Sequence, residues 1–302
     1  MVRQQWFPTV AGYLLDLLVG EALLRPHPVA LAGTALQRWE ERCYRDSSAA
    51  GAVYVLGGLA IAESASRAAP SLAGATYVTV AHTMLLKEAR SVAKMLAAGD
   101  IPGARSRVRS LVGRDTGSLG EEELARAVIE SVAENTVDAV VAPLWWAGLA
   151  GTRGAYYYRM INTMDSQVGY RNARYKAFGA AAARLDDGAN YLPARFAALL
   201  LLLLRPRRAV DVLRAIRRDA QAHPSPNAGI IEAGFAGALG VTLGGENLYG
   251  GLIERRGVLG DGPAPRAGDI EAACRLSRAL GVGALVSLAL ARAMVSRGRT
   301  RR

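Results

Sequence analysis

Asp186-Asp-Gly-Ala-Asn190-Tyr-Leu-Pro-Ala-Arg195-Phe-Ala-Ala, followed by leucine at every position from 199 to 204, decides the fold class. Two adjacent acids, an amide and an arginine stand at the entrance to an uncharged apolar run. Ionisable groups beside such a run are costly and are usually kept for a function. Outward from it, the same association recurs. Val112-Gly-Arg-Asp-Thr116 and Glu130-Ser-Val-Ala-Glu134-Asn-Thr-Val-Asp138 precede an apolar stretch at 139–152 that carries Trp145 and Trp146, and Asn162-Thr-Met-Asp-Ser166 follows it. Further apolar stretches lie at 47–62, 68–86 and 280–291. A span needs roughly 20 apolar residues, so each is short alone. Together they predict an all-α, polytopic helical membrane protein with roughly four to six spans, some tilted or broken. Hydropathy by itself leaves a soluble all-α enzyme with buried helices as the alternative.

The 302 residues are 51% hydrophobic and 21% charged, too apolar for disorder. Net charge is +11, and Lys87, Lys94 and Lys176 are the only lysines, so the excess is arginine. Arginine grips phosphates and carboxylates with a planar fork, which suits phosphorylated ligands or anionic lipid headgroups. Without a basic, aromatic-interleaved patch, nucleic acid is not expected as a partner. Cys43 and Cys274 stand far apart, and His27, His82 and His223 lack zinc-site spacing; small buried thiols in a reducing compartment are expected. The residues after Met1 lack a signal-peptide cleavage pattern and read as part of the mature protein. The arginines at 205–218 and the tail 297–302 place those segments in the cytoplasm by the positive-inside rule.

Residues 87–136 read as water-facing helices, with a turn at Gly99-Asp-Ile-Pro-Gly103 and a capping box from Ser118 to Glu121 opening a helix near Leu119. Pro143 would kink or end its continuation. His223-Pro-Ser-Pro-Asn-Ala-Gly229 and the segment 254–268 read as loops. With no internal repeat or boundary, 1–302 reads as a single integral-membrane domain carrying a cytoplasmic helical insertion at about 87–136.

No P-loop, dinucleotide fingerprint or nucleophile elbow is present. What remains is carboxylates and arginines, a set suited to magnesium and phosphate chemistry. Glu130, Glu134 and Asp138 step by four, so on a helix they share a face and repel. Arg114 and Asp115 could equally close a loop as an ion pair. Asp165 with Ser166, and Asp186 with Asp187, could cap helices, and Arg195 could only snorkel.

In order, Gly113-Arg-Asp-Thr116, Glu130-Ser-Val-Ala-Glu-Asn135, Asn162-Thr-Met-Asp-Ser166 with Val168-Gly-Tyr170, Asp186-Asp187 with Asn190 and Pro193-Ala-Arg195, and Ser225-Pro-Asn-Ala-Gly229 resemble the adenosylcobinamide-phosphate synthase family of cobalamin biosynthesis. Gly12-Tyr-Leu-Leu-Asp16 and His27-Pro-Val29 are similar to that family's opening, and the resemblance spans roughly residues 11–251. The chain departs from it at Gly20-Glu21-Ala22, where the family usually has Gly-Asp-Pro, and at Met164 and Gln167. The resemblance implies a multi-pass inner-membrane ligase, its active site facing the cytoplasm, that joins adenosylcobyric acid to an aminopropanol phosphate, or a related amino-alcohol phosphate, using ATP and Mg2+. Its partners would be the corrinoid, the amino-alcohol phosphate and membrane lipids. Catalytic roles are expected for Glu130, Glu134, Asn135, Asp138 and Asp165. Ligand binding is expected for Arg114, Asp115, Thr116, Asn190, Arg195 and Asn227, and magnesium binding for Asp186, Asp187 and Glu134. A non-catalytic inner-membrane sensor related to the family is the alternative; it predicts eroded acidic motifs, and these are intact.

Overall fold

Short polar side chains open the helices where the sequence supplies them. In the computed structural model, which describes residues 6–20, 26–170, 172–249 and 252–299, Ser47 accepts a hydrogen bond from the Ala50 amide at 3.2 Å and starts α3 (Ser48–Ala68). Ser71 does the same for α4 (Leu72–Thr79) and Asp100 for α6 (Ile101–Val108). His27 caps α2 (Pro28–Cys43), with Pro28 in the first turn, where its missing N–H costs nothing. The expected capping box lies two residues later than Ser118 and Glu121. The Gly120 amide donates to Glu123 Oε2 at 2.8 Å, and α7 runs Glu121–Thr136. Glu21 lies outside the described residues.

The chain divides into two compact units. The first comprises Met1–Ala81, Asp138–Asn190 and Leu285–Arg302. It holds α1 (Trp6–Val19), α2, α3, α4, a π-helical turn at 137–141 that enters it at Asp138, and α8 (Ala142–Val168), together with the start of α9 (Ala180–Leu204) and the end of α12 (Ala267–Arg299). Its main core joins Leu36, Tyr54, Met160, Met164, Val168 and Phe178. Tyr54 and Phe178 stack tilted at 5.3 Å. Truncating Met164, which is fully buried, to alanine would cost roughly 2–5 kcal/mol. Inside α8, Gly151 takes φ 66° and ψ −147°, a conformation open to glycine, and breaks the helix.

The second unit comprises His82–Val137 and Tyr191–Ala284. It holds α5 (His82–Ala97), α6, α7, the leucine half of α9, α10 (Ala209–Asp219), α11 (Ala228–Leu239) and the first half of α12. It also contains an antiparallel hairpin, β1 (Leu243–Tyr249) with β2 (Leu252–Leu259). The chain is mostly helical, as expected, and the hairpin is the departure from an all-α architecture; it replaces the start of the loop expected from residue 254. Its bulge is built on Gly244 and Gly245, both at positive φ (77° and 86°). The sequence did carry a hairpin signal, Gly250-Gly251 between Asn-Leu-Tyr and Leu-Ile.

Among the described residues, three helices are long and apolar enough to cross a bilayer: α3, α9 and the Ala267–Ala291 part of α12. The apolar stretch at 68–86 is not one helix. Pro70 and the Ser71 cap separate α3 from α4, and Val80 adopts an extended backbone before α5 begins. Charge inside α3 is partnered. Glu63 pairs with Arg67 at 2.8 Å and with Arg153 at 2.7 Å, which lowers the cost of placing it in a span. Cys43 and Cys274 are free thiols, the latter buried.

Candidate functional site

Within the second unit, the loop between α6 and α7 is braced so that Arg114 turns inward. Thr116 Oγ1 donates to the Arg105 carbonyl at 3.0 Å, and Arg105 Nε donates to the Leu119 carbonyl at 2.9 Å. Ser131 on α7 ties down the Leu111 carbonyl. Thr116, expected to touch ligand, is thus a buried brace, and Asp115 is exposed. Arg114 is buried. It donates to Glu130 Oε2 and, at 2.5 Å, to Asn247 Oδ1 on β1. Glu130 Oε1 accepts the Gly244 amide at 2.7 Å, so the bulge glycine completes this carboxylate. Arg126, one turn before Glu130, donates to the Gly244 carbonyl and, at 3.1 Å, to that of Glu246.

Around this anchor lie Glu134 on α7, Glu232 on α11, Arg256 on β2 and His223. Glu232 is 1% exposed, and among the described residues neither carboxylate oxygen has a hydrogen-bond partner. His223 Nε2 approaches at 3.5 Å. Two donors are likewise buried and unpaired, Arg114 Nε and Asn247 Nδ2. Burial raises the Glu232 carboxyl well above its ordinary range; Glu130 and Glu134 add to this, and Arg256 and Arg114 oppose it. Glu134 keeps some open surface but is densely enclosed. Burial raises it too, against Arg256 and with Glu130. His223 is pushed down to about 4 by burial and then by Arg256, so its ring is neutral at pH 7. His223 Nδ1 lies 3.0 Å from the Ser225 amide and 3.2 Å from the Ser225 carbonyl, and Nε2 stands 3.5 Å both from Glu232 and from Arg256 Nη1.

Glu232, Asn247, His223 and Arg256 escaped the motif reading. A signal for Glu232 existed: it is the one charge in the otherwise apolar helix Ala-Gly-Ile-Ile-Glu-Ala-Gly-Phe-Ala-Gly-Ala-Leu, and lone buried acids are rare. Arg195 and Asn227 meet at 3.1 Å, and Arg195 also lies 3.4 Å above the Tyr191 ring. Asn135 donates back to Ser131 on its own helix.

The first unit gathers a separate cluster. Asn162 Nδ2 on α8 donates to Asp138 Oδ2 at 3.1 Å and to Asp186 Oδ1 at 3.4 Å. Asn190 Nδ2 donates to Asp186 Oδ2 at 3.0 Å, and Tyr158 donates to Asn190 Oδ1 at 2.8 Å. Asp165 and Asp187 are further carboxylates whose charge bears on Asp186. The alternative reading of these acids as helix caps does not hold. Asp165 and Ser166 lie inside α8, and Asp186 and Asp187 lie inside α9. Nor do the three acids spaced by four share one α-helix. Glu130 and Glu134 lie on α7, which ends at Thr136, and Asp138 belongs to the π turn, where the period lengthens. The expected magnesium ligands therefore fall in different units, Glu134 in the second and Asp186 and Asp187 in the first. Among the described residues, no group of three or more His, Cys, Asp or Glu is arranged to hold a metal ion. Magnesium typically takes only one or two carboxylates besides substrate phosphates, and the oxygen donors of Asp138 and Asp186, which share one amide, fit that mode.

The family model described as CobD/Cbib protein matches residues 9–277. The chain is 46% identical over 291 residues to a cobalamin biosynthesis protein CobD of Mycobacterium tuberculosis (strain ATCC 25618 / H37Rv), covering 91% of this chain and 92% of that one. It is 40% identical over 275 residues to the CobD of Pelobacter propionicus, covering 84% and 85%. It is 49% identical over 214 residues to that of Stutzerimonas stutzeri, covering 70% of each. No solved structure matches. A family model covering most of the length, and relatives 40–49% identical over 70–91% of it, agree with the buried arginine–carboxylate chemistry: the chain belongs to the CobD/Cbib family, the adenosylcobinamide-phosphate synthases, and acts in cobalamin biosynthesis.

Proposed function

We propose that the protein is an ATP- and magnesium-dependent ligase that condenses a carboxyl of adenosylcobyric acid with the amine of aminopropanol phosphate or a related amino-alcohol phosphate. The observation that carries this reading is the buried set in the second unit, where arginine and amide donors and a carboxylate are left unpaired. Buried polar groups are normally satisfied, so a set of both signs is complementary to a ligand that carries both. Arg114 Nε, Asn247 Nδ2 and the Arg256 guanidinium suit phosphate oxygens. Burial raises the proton affinity of the Glu134 carboxylate, which suits it to accept the proton the amine must lose. In the first unit, Asp186 with Asp138 would hold magnesium, and Asn162 and Asn190 fix both carboxylates. Mg-ATP, when bound, supplies the energy that makes the carboxyl carbon electrophilic.

The same proposal places the chain in the inner membrane. Four to six spans would be reached if α1 and α8 join the three long apolar helices. The arginine-rich stretch after α9 puts the second unit's working face on the cytoplasmic side, where ATP is. The test is incubation of detergent-purified protein with adenosylcobyric acid, aminopropanol phosphate and Mg-ATP, followed by mass analysis of the corrinoid. An ATP-dependent gain equal to the amine component less water supports the ligase. A corrinoid of unchanged mass, with relatives active under the same conditions, overturns it.

A further inference from the structure

We propose that Glu232 is the seat of the protonated primary amine of a zwitterionic aminoalkyl phosphate, whose phosphate meets the Arg114 Nε, Asn247 Nδ2 and Arg256 donors. This deepens the ligase reading and rests on it for the identity of the substrate. The argument begins with what is unpaired. Of the acids in the second unit, Glu130 is fully partnered, by Arg114 and the Gly244 amide. Glu232 is as deeply buried, yet both its oxygens lack a donor among the described residues. Leaving such a group unmet is costly, the more so when it is charged. It stands on α11, a helix with no other ionisable residue, so no neighbour on its own element can relieve it.

The surroundings select the ligand's chemistry. His223 Nε2 stands 3.5 Å from Glu232 Oε1, too long for a good hydrogen bond. Both oxygens are thus left for a donor from outside. Glu130 and Glu134 act electrostatically on Glu232, opposed by Arg256 and Arg114, so its surroundings carry both signs, and an ammonium at the carboxylate would offset what burial costs its charge. The unpaired donors lie on the opposite side of the charge balance. Arg114 and Asn247 touch each other through Nη1 and Oδ1, leaving Nε and Nδ2 unused. Arg256 reaches His223 with Nη1 at 3.5 Å while Nε holds Glu254 at 2.8 Å. A simple anion would satisfy the donors and leave Glu232 unmet, and a simple amine would do the reverse. A molecule bearing an ammonium and a phosphate satisfies both.

The experiment is equilibrium binding by calorimetry to the full-length protein in detergent, with neither nucleotide nor corrinoid present. The probes are aminopropanol phosphate, propyl phosphate, which lacks the amine, and inorganic phosphate. Wild-type protein is expected to bind aminopropanol phosphate at least tenfold more tightly than propyl phosphate. Glu232→Gln should erase that preference while keeping phosphate affinity, which also shows that the variant is folded. Glu232→Asp, which keeps the charge on a shorter stem, should retain part of it. If wild-type protein shows no amine preference, the site holds water only and the proposal falls, whatever the variants do. If Glu232→Gln keeps the preference, the amine sits elsewhere. An amine preference without ATP-dependent product would leave the seat standing and overturn the ligase; product formation without the preference would do the opposite.

Discussion

Removing Arg114 tests whether the second unit is organised around a buried ion pair. In Arg114→Met the stem is replaced at similar volume, but two hydrogen bonds vanish, one to Glu130 and one to Asn247 Oδ1. The side chains of the pair are only 4% and 3% exposed, so water cannot replace the lost donor. Breaking a buried pair from one side typically costs about 3–5 kcal/mol, because the remaining charge stays buried. Arg126 lies 3.8 Å from Glu130 and can offset part of this, which favours the lower end. At roughly 2–4 °C per kcal/mol for a unit of this size, the thermal midpoint should fall by about 6–20 °C. The second half of the test is the sign of the coupling. Adding Glu130→Gln to Arg114→Met removes the stranded charge, so the double variant should be more stable than Arg114→Met alone. It would still lack partners for Asn247, worth about 1–3 kcal/mol. The assay is thermal unfolding of detergent-solubilised protein followed by circular dichroism. A midpoint within about 2 °C of wild type for Arg114→Met, or strict additivity in the double variant, would show that the pair is not electrostatically coupled in a dry interior and would refute the reasoning.

Gly244→Ala should disrupt the same anchor from the backbone side, because an added Cβ would meet the Gly257 carbonyl at 2.0 Å and the residue sits at φ 77°; a midpoint unchanged within a degree or two in the same unfolding assay contradicts this. His82 and His223 are held neutral, pushed down to about 3 and about 4 chiefly by burial. The unfolded chain takes up protons below pH about 6.5 while the folded one does not; stability is therefore full above that pH and falls as pH drops toward 4. A pH series of unfolding midpoints on wild type and His82→Gln checks this, and a wild-type midpoint flat from pH 7 to 4.5 speaks against it. Asp186→Asn should raise the magnesium concentration needed for half-maximal amide formation at least severalfold without changing the unfolding midpoint by more than a few degrees; an unaltered magnesium dependence removes Asp186 from the metal. A cysteine placed at the exposed Arg217 should react with an impermeant thiol reagent in inside-out vesicles and not in right-side-out ones; the reverse pattern inverts the proposed orientation.

Much of the fold was legible because its signals are local. Serines and prolines at helix starts, the uncharged run before Leu204 and the turn at Gly99 depend on a few adjacent residues. The hairpin was hidden because its strands carry glycines and charged residues in place of an apolar alternation, and its register is fixed by a bulge and by contacts with α7. The break at Val80 was hidden for the opposite reason: an apolar residue in extended conformation looks, in sequence, like one more residue of a span. For the site, the motif acids and Arg114 were visible, but their grouping was not. A spacing of four predicts a shared face only while the helix keeps its period, and the π turn at 137–141 ends that before Asp138.

The satisfaction of each acid, rather than its position in a motif, separates scaffold from working group. Glu130 and Glu232 are both buried acids of the second unit, and burial alone would assign them the same role. Glu130, though, accepts from a guanidinium and a backbone amide, and through them it fixes the α6–α7 loop and the bulge of β1. Both oxygens of this carboxylate are thus committed to holding the frame. Glu232 and Glu134 are the reverse: burial holds both toward the neutral form. A carboxyl whose proton affinity burial has raised gains from meeting a proton or a cation. The motif that draws attention to Glu130 therefore marks the frame of the site, and the lone acid in the apolar helix α11 marks the place where a ligand is needed to complete it.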